Sequence, residues 1–247
     1  MSRTQEYFRF KWSHEHTVHR LAVRLYNTLM RFVPLQIKYA AGKRLRKHSY
    51  PYLLVQDGSV VVQIGAPRDT LHAGRSRGMY FSLFAGKRGK VLMIEPDHAS
   101  LTEYRTVARA LNGDNLILCP KAVWSEKKKL RVYVNDFHPA SSFTEGTKDY
   151  NADIMRGYRV IELEADTLDN ILAEQNIEKV DLVSITTNGA EKEIIKGMQA
   201  IISKGLPFIC LAKTGPDYQE MMDNIGYKLF SYDDRGFTFV NKDQEGK

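Results

Sequence analysis

The stretch VSITTNGAE, Val183 to Glu191, holds the reading that decides the fold class. Val183 to Ile185 belong to a buried strand, read over 180–187, and Gly189 breaks it into a helix carrying AEKEIIKGMQAIISKG, residues 190–205. That helix ends on Lys204 and Gly205, as a helix C-terminus should. Working outward, further strands are expected at 59–65, 90–95, 115–119 and 207–212, with helical periodicity at 78–86, 99–111 and 167–175 between them. Strand then helix, five times over, predicts an α/β class: a doubly wound, mostly parallel sheet covered on both faces. The final pair, GYKLFSY and FTFVN, flanks the turn DDRG, so the seven-stranded sheet is expected to finish in an antiparallel hairpin.

Bulk composition narrows the class without naming a function. The 43% hydrophobic and 26% charged residues are ordinary globular usage, which excludes a disordered or fibrous chain. Apolar runs such as SVVVQIG and VLMIEP fall short of the ~18 residues that a membrane span requires, and MSRTQEYFRFKW lacks the apolar core of a signal peptide. A cytoplasmic protein is therefore expected. Cys119 and Cys210 each sit in a strand-like apolar run, which suits reduced core thiols better than a disulfide framework.

The net charge of +7 is concentrated at one end. Residues 1–50 hold eleven Lys and Arg against Glu6 and Glu15, leaving 25 of the 36 basic and 27 of the 29 acidic residues for the remainder. The chain thus divides into a basic helical extension, 1–50, and a body, 51–247, in which 128–164 forms a hairpin with a polar, substrate-side insertion. Residues 17–33 place Val18, Leu21, Leu25, Leu29 and Phe32 on one helical stripe, with Arg20, Arg24 and Arg31 facing away. Such a helix either packs on the body or, joined by KRLRKH, lies on an anionic membrane surface through residues 17–47. Nucleic acid is not expected, because no reading module accompanies the charge.

Candidate site residues cluster at the carboxyl ends of the predicted strands. The first strand stops at Gly65 and Ala66, where the backbone can approach a ligand closely. A dinucleotide fingerprint would need G-x-G-x-x-G, which Ala66, Pro67 and Arg68 do not supply, so a nicotinamide-dependent enzyme is disfavoured. Glu95 ends the second strand, placed to accept ribose hydroxyls, and Pro96 stops the strand from continuing. Lys121 and Ala122 follow the third strand, with Trp124 read as a core or hinge aromatic. Arg68, Arg75 and Arg77 surround the glycine turn and either grip an acidic substrate or are solvated. Glu191 is read as an acid favourably placed at a helix N-terminus. His14, His16 and His19 are a weak metal pattern, and His72 and His138 are the better base candidates should a base be needed.

Taken in order, QIGA with GMYFSLF, IEP, KAVWS, ADTLDNIL and SITTNGAE resemble the motifs of the FkbM family of methyltransferases over roughly 59–213. A parallel sheet finishing in a hairpin is also the arrangement of class I, Rossmann-like S-adenosylmethionine-dependent methyltransferases. The resemblance implies S-adenosylmethionine as cofactor, bound around Gln63, Gly65, Ala66, Gly78, Glu95, Pro96, Lys121 and Ala122. It also implies methyl transfer to an oxygen of a small molecule, sugar or lipid-linked glycan, with Thr186, Thr187 and Asn188 at the catalytic position and no metal. The departures are specific, since the family usually has Asp at Gln63 and carboxylates at Thr186 and Asn188. Methyl transfer is chiefly alignment of donor and acceptor within ~3 to 3.5 Å, so neutral hydrogen-bonding groups suffice for orientation. The alternative is a catalytically degenerate relative that keeps the fold and acts by binding cofactor, partner or membrane.

Overall fold

The computed structural model of the chain describes residues 28, 32–111, 113–136, 142–147, 157–212, 215–232 and 236–244. Buried β-rich runs build the centre. Strands β1 (Val60–Ile64), β2 (Lys90–Ile94), β3 (Leu116–Cys119), β8 (Leu182–Ile185), β9 (Phe208–Leu211), β10 (Tyr227–Tyr232) and β11 (Phe237–Asn241) form one seven-stranded sheet. Its order is β10-β11-β9-β8-β1-β2-β3. The five strands from β9 to β3 run parallel, while β11 is antiparallel to β9 and β10 to β11, which is the expected doubly wound sheet with a terminal hairpin.

Side-chain alternation sends each strand's residues to two separate cores, as a period of two requires. Val62, Ile64, Ile94 and Val183 pack on one side, and Val61, Val91, Met93 and Leu182 on the other. The first core is covered by α5 (Leu168–Glu174), α6 (Glu191–Lys196) and α7 (Gln199–Ser203). The second is covered by α2 (Arg68–His72), α3 (Arg77–Ala85) and α4 (His98–Ala110). Side-chain caps set where α3, α4 and α5 begin: Ser76, Asp97 and Thr167 accept from the amides of Met79, Ser100 and Asn170. A further helix, α8 (Pro216–Asn224), leads into the hairpin.

The single helix expected over 190–205 is two helices, α6 and α7, broken at Gly197 and Met198. The cause is tertiary. Gly197 lies so close to the preceding segment that a Cβ there would be 2.0 Å from the Trp124 carbonyl oxygen. Asp169 then caps the second helix, its carboxylate accepting from the amides of Ala200 at 2.8 Å and Ile201 at 3.0 Å.

A smaller sheet of order β4-β7-β5-β6 rises beside the first. Its centre is the expected pairing of β5 (Lys128–Val134) with β7 (Arg159–Asp166), antiparallel from Lys128↔Ala165 to Val134↔Arg159. Two short strands, β4 (Ala122–Val123) and β6 (Phe143–Thr144), complete it. Trp124 is a core aromatic, as its apolar surroundings required.

The helix read over 17–33 lies outside the described residues except for Thr28, Phe32 and Val33, and His14, His16, His19 and His138 lie outside them too. The basic cluster that follows is part of α1 (Leu35–Arg46), which packs on the body through buried Tyr39 and through Gly42 against the Tyr80 hydroxyl. Among the described residues no helix is long and apolar enough to cross a membrane.

Candidate active site

At the carboxyl edge of β1, β2 and β8, between the two sheets, lies an open cleft with a cavity volume of about 90 Å³. Gly65, Glu95, Pro96, Lys121, Ala122, Thr186, Thr187 and Asn188 all line it. Segments far apart in the chain are thus brought to one wall.

Gly65 has φ +83, and a Cβ on it would fall 2.6 Å from the Thr186 carbonyl oxygen. Only glycine combines that backbone with that proximity. Glu95 stands next to it, 9% exposed. One carboxylate oxygen accepts from the Ala66 amide at 2.7 Å and the other from the Asp97 amide at 3.0 Å. Burial pushes the acid up to about 7, against the pull of those two amides in the opposite direction. Each oxygen retains a second lone pair.

Three predicted cofactor residues, Gln63, Ala66 and Gly78, are not on the cleft wall. Gly78 is inside α3, packed against Met93 and Gln63 beneath the sheet. Gln63 is 1% exposed, and its amide nitrogen donates to the carbonyls of Ile64 (3.0 Å) and Gly65 (2.9 Å) and to Thr186 Oγ1 (2.8 Å). Ala66 is buried and enters the site through its backbone amide. Lys121 reaches outward to an ion pair with Glu174.

The polar turn after β8 has three residues in three different situations. Thr186 donates to the Gly65 carbonyl at 2.9 Å while accepting from Gln63, so its hydroxyl is engaged in joining β1 to β8. Asn188 donates to the Ser142 carbonyl at 2.8 Å, and its own carbonyl accepts from Thr147 Oγ1 at 3.2 Å, which fastens the insertion to the turn. Thr187 Oγ1 is buried with no hydrogen-bond partner among the described residues. Buried polar atoms are nearly always paired, so this hydroxyl, like Gln63 Oε1 and Glu191 Oε1 nearby, lacks the partner such an atom usually has.

Glu191 is fully buried, and one oxygen accepts from the Gly189 amide at 3.0 Å and from the Tyr218 hydroxyl at 3.4 Å. Burial and the Glu191 carboxylate push the Tyr218 hydroxyl up to about 12. The expected role of Glu191 at the helix N-terminus takes the form of a link back to the turn. Of the three arginines near the glycine turn, Arg68 and Arg77 do not converge on a common point. Arg68 reaches Glu103 at 3.6 Å and the Asp136 carbonyl at 2.8 Å, whereas Arg77 is buried with Nη1 3.5 Å from Ser184 Oγ. His72 pairs with Glu103 and does not line the cleft.

The apolar roof was missed in the sequence: Val132, Val134, Phe143 and Thr144 line the cleft from β5 and β6. Alternation of Leu130, Val132 and Val134 was the available signal, since all three share one face. Among the described residues no group of His, Cys, Asp and Glu is arranged to hold a metal ion.

The model of the methyltransferase FkbM domain matches residues 63–239. The chain belongs to the FkbM domain family. Among solved structures, it is similar to the methyltransferase FkbM from Methylobacillus flagellatus KT, with 14% identity and a TM-score of 0.49 over 75% of this chain. The FkbM chain described here spans 44% of that protein's length. It is also similar to Aeropyrum pernix fibrillarin with natively bound S-adenosyl-L-methionine (13% identity, TM-score 0.42, 82% of this chain and 74% of that one). A third is a SAM-dependent methyltransferase from Thiobacillus denitrificans in complex with S-adenosyl-L-homocysteine (12% identity, TM-score 0.39, 81% and 66%). No curated protein matches the FkbM chain.

Proposed function

We propose that this FkbM-domain protein transfers a methyl group from S-adenosylmethionine to an oxygen of a small molecule, sugar or lipid-linked glycan. The observation that carries the reading is the meeting of Gly65, Glu95 and Ala122 on one cleft wall. The residues fit the cofactor. Glu95 has lone pairs left for ribose hydroxyls, Pro96 and Val123 offer apolar surface beside Ala122 for a purine, and the Gly65 turn admits close backbone approach. When bound, the cofactor supplies an electrophilic methyl group.

The chain's own residues then bind, orient and exclude water. Thr187 is the group on this turn with an unengaged hydroxyl, so we assign it to orient the acceptor oxygen. Gln63 and Thr186 are positioning residues that hold the Gly65 turn, and Asn188 holds the insertion down over the cleft. Val132, Val134 and Phe143 form the dry wall opposite. The buried positions of Cys119 and Cys210 suit reduced core thiols and a cytoplasmic setting.

Titration calorimetry with S-adenosylmethionine tests the proposal. Binding with an affinity better than ~1 mM, about −4 kcal/mol, is expected; no heat at that concentration would remove the reading. A second reading, a degenerate relative that binds cofactor without turnover, is favoured by the internal engagement of Thr186 and Asn188. Cofactor binding without S-adenosylhomocysteine formation, when small-molecule, sugar and lipid-linked glycan acceptors are all supplied, would favour it.

A further inference from the structure

Six large apolar side chains stand out as exposed among the described residues, and four of them, Phe32, Ile37, Leu45 and Leu53, fall within one short segment around α1. Ile37 is 58% and Leu45 77% exposed. The same segment has no negative charge: between Glu15 and Asp57 the sequence contains no acidic residue.

Helical geometry sorts the residues of α1 into two faces. Tyr39, Gly42 and Arg46, spaced by three and four, face the body, where the Arg46 guanidinium lies over the Tyr80 ring at 4.4 Å. Ile37, Ala41, Arg44, Leu45 and His48 fall on the opposite face, and all are exposed. Lys43 is committed to the body through the Leu83 carbonyl. Arg44 on this face and Lys47 just past the end of the helix are exposed and make no ion pair with a described acidic residue.

We propose that this outer face of α1 docks on the surface of an anionic phospholipid bilayer. Large apolar side chains interleaved with cations are what a helix lying in the headgroup layer needs, since Ile37 and Leu45 enter the acyl boundary while Arg44 and Lys47 meet headgroup phosphates. A nucleic acid would neutralise the cations but leave Ile37 and Leu45 without an apolar partner. A second copy would set one acid-free face against another, which like-charge repulsion opposes.

The Tyr39 hydroxyl donates to the Leu71 carbonyl at 2.9 Å, and Lys38 Nζ to the His72 carbonyl at 3.1 Å. Through these bonds α1 is fastened to α2, the short helix that follows the Gly65 turn, so its outer face is held on the body.

The test is co-sedimentation of the full chain with vesicles of mixed phosphatidylglycerol and phosphatidylcholine, and with phosphatidylcholine alone. Binding is expected to the anionic vesicles only. The double variants Ile37→Ser/Leu45→Ser and Arg44→Glu/Lys47→Glu should each lower partitioning roughly tenfold or more. Their thermal midpoints should stay at that of the wild type, because all four side chains are exposed. Several results would overturn the proposal: no binding by the wild type, equal binding to both vesicle types, or variants that partition like the wild type. Tighter binding to a single-stranded oligonucleotide, or self-association abolished by Ile37→Ser/Leu45→Ser without vesicle binding, would reassign the face to those occupants.

Discussion

At the scale of single residues, Thr186 and Thr187 are neighbours with opposite duties. Thr186→Val removes a hydroxyl that joins Gln63 to Gly65, and it should destabilise the protein by about 1–3 kcal/mol, read as a shifted denaturant midpoint. Thr187→Val removes a buried hydroxyl that has no partner among the described residues, so stability should hold or rise slightly while methyl transfer falls. Loss of stability in the Thr187 variant would contradict the assignment. Neither duty could be read from TTN alone, because the Gln63 partner of Thr186 lies 123 positions away in the chain.

Glu95 leads to a prediction about pH. Unfolded, it ionises near its ordinary 4.5, whereas burial keeps it protonated up to about 7 in the folded protein. Between those values the native state holds the extra proton, so stability falls as pH rises through the window. Glu95→Gln should abolish that part of the slope, measured by urea unfolding at several pH values. If the ionised form is the one that accepts ribose hydroxyls, cofactor affinity should move the other way. It should weaken roughly tenfold per unit as pH drops below about 7, and become flat in Glu95→Gln.

Elements were the most legible scale. Every strand of the large sheet was foreseen within a residue or two, because fully buried β-branched runs bounded by turn residues have few other uses. The break between α6 and α7 was not foreseen, since apolar periodicity continues across it and its causes, the Trp124 carbonyl and the Asp169 cap, come from other segments. Asp169→Ala should destabilise by about 0.5–2 kcal/mol, seen as a lower midpoint without any change in cofactor affinity. The short strands β4 and β6 escaped for a simpler reason: two residues carry no period.

At the scale of the whole molecule, the cleft has a floor made by the parallel sheet and a roof made by the smaller one. The floor was visible from the order of the strand ends. The roof depends on how 128–166 folds back, which is long-range pairing of β5 with β7 and was legible only as a hairpin. Cofactor binding should slow hydrogen exchange at the ends of β1, β2 and β8 and in 142–147, and leave the β10–β11 hairpin unchanged. Protection confined to the hairpin would place the ligand elsewhere.

The two bonds between Asn188 and the 142–147 segment lie on the seam between those halves. An excursion grafted from another FkbM chain, provided it keeps a backbone carbonyl for the Asn188 amide, should exchange acceptor preference while the nucleoside half goes on recognising the same donor.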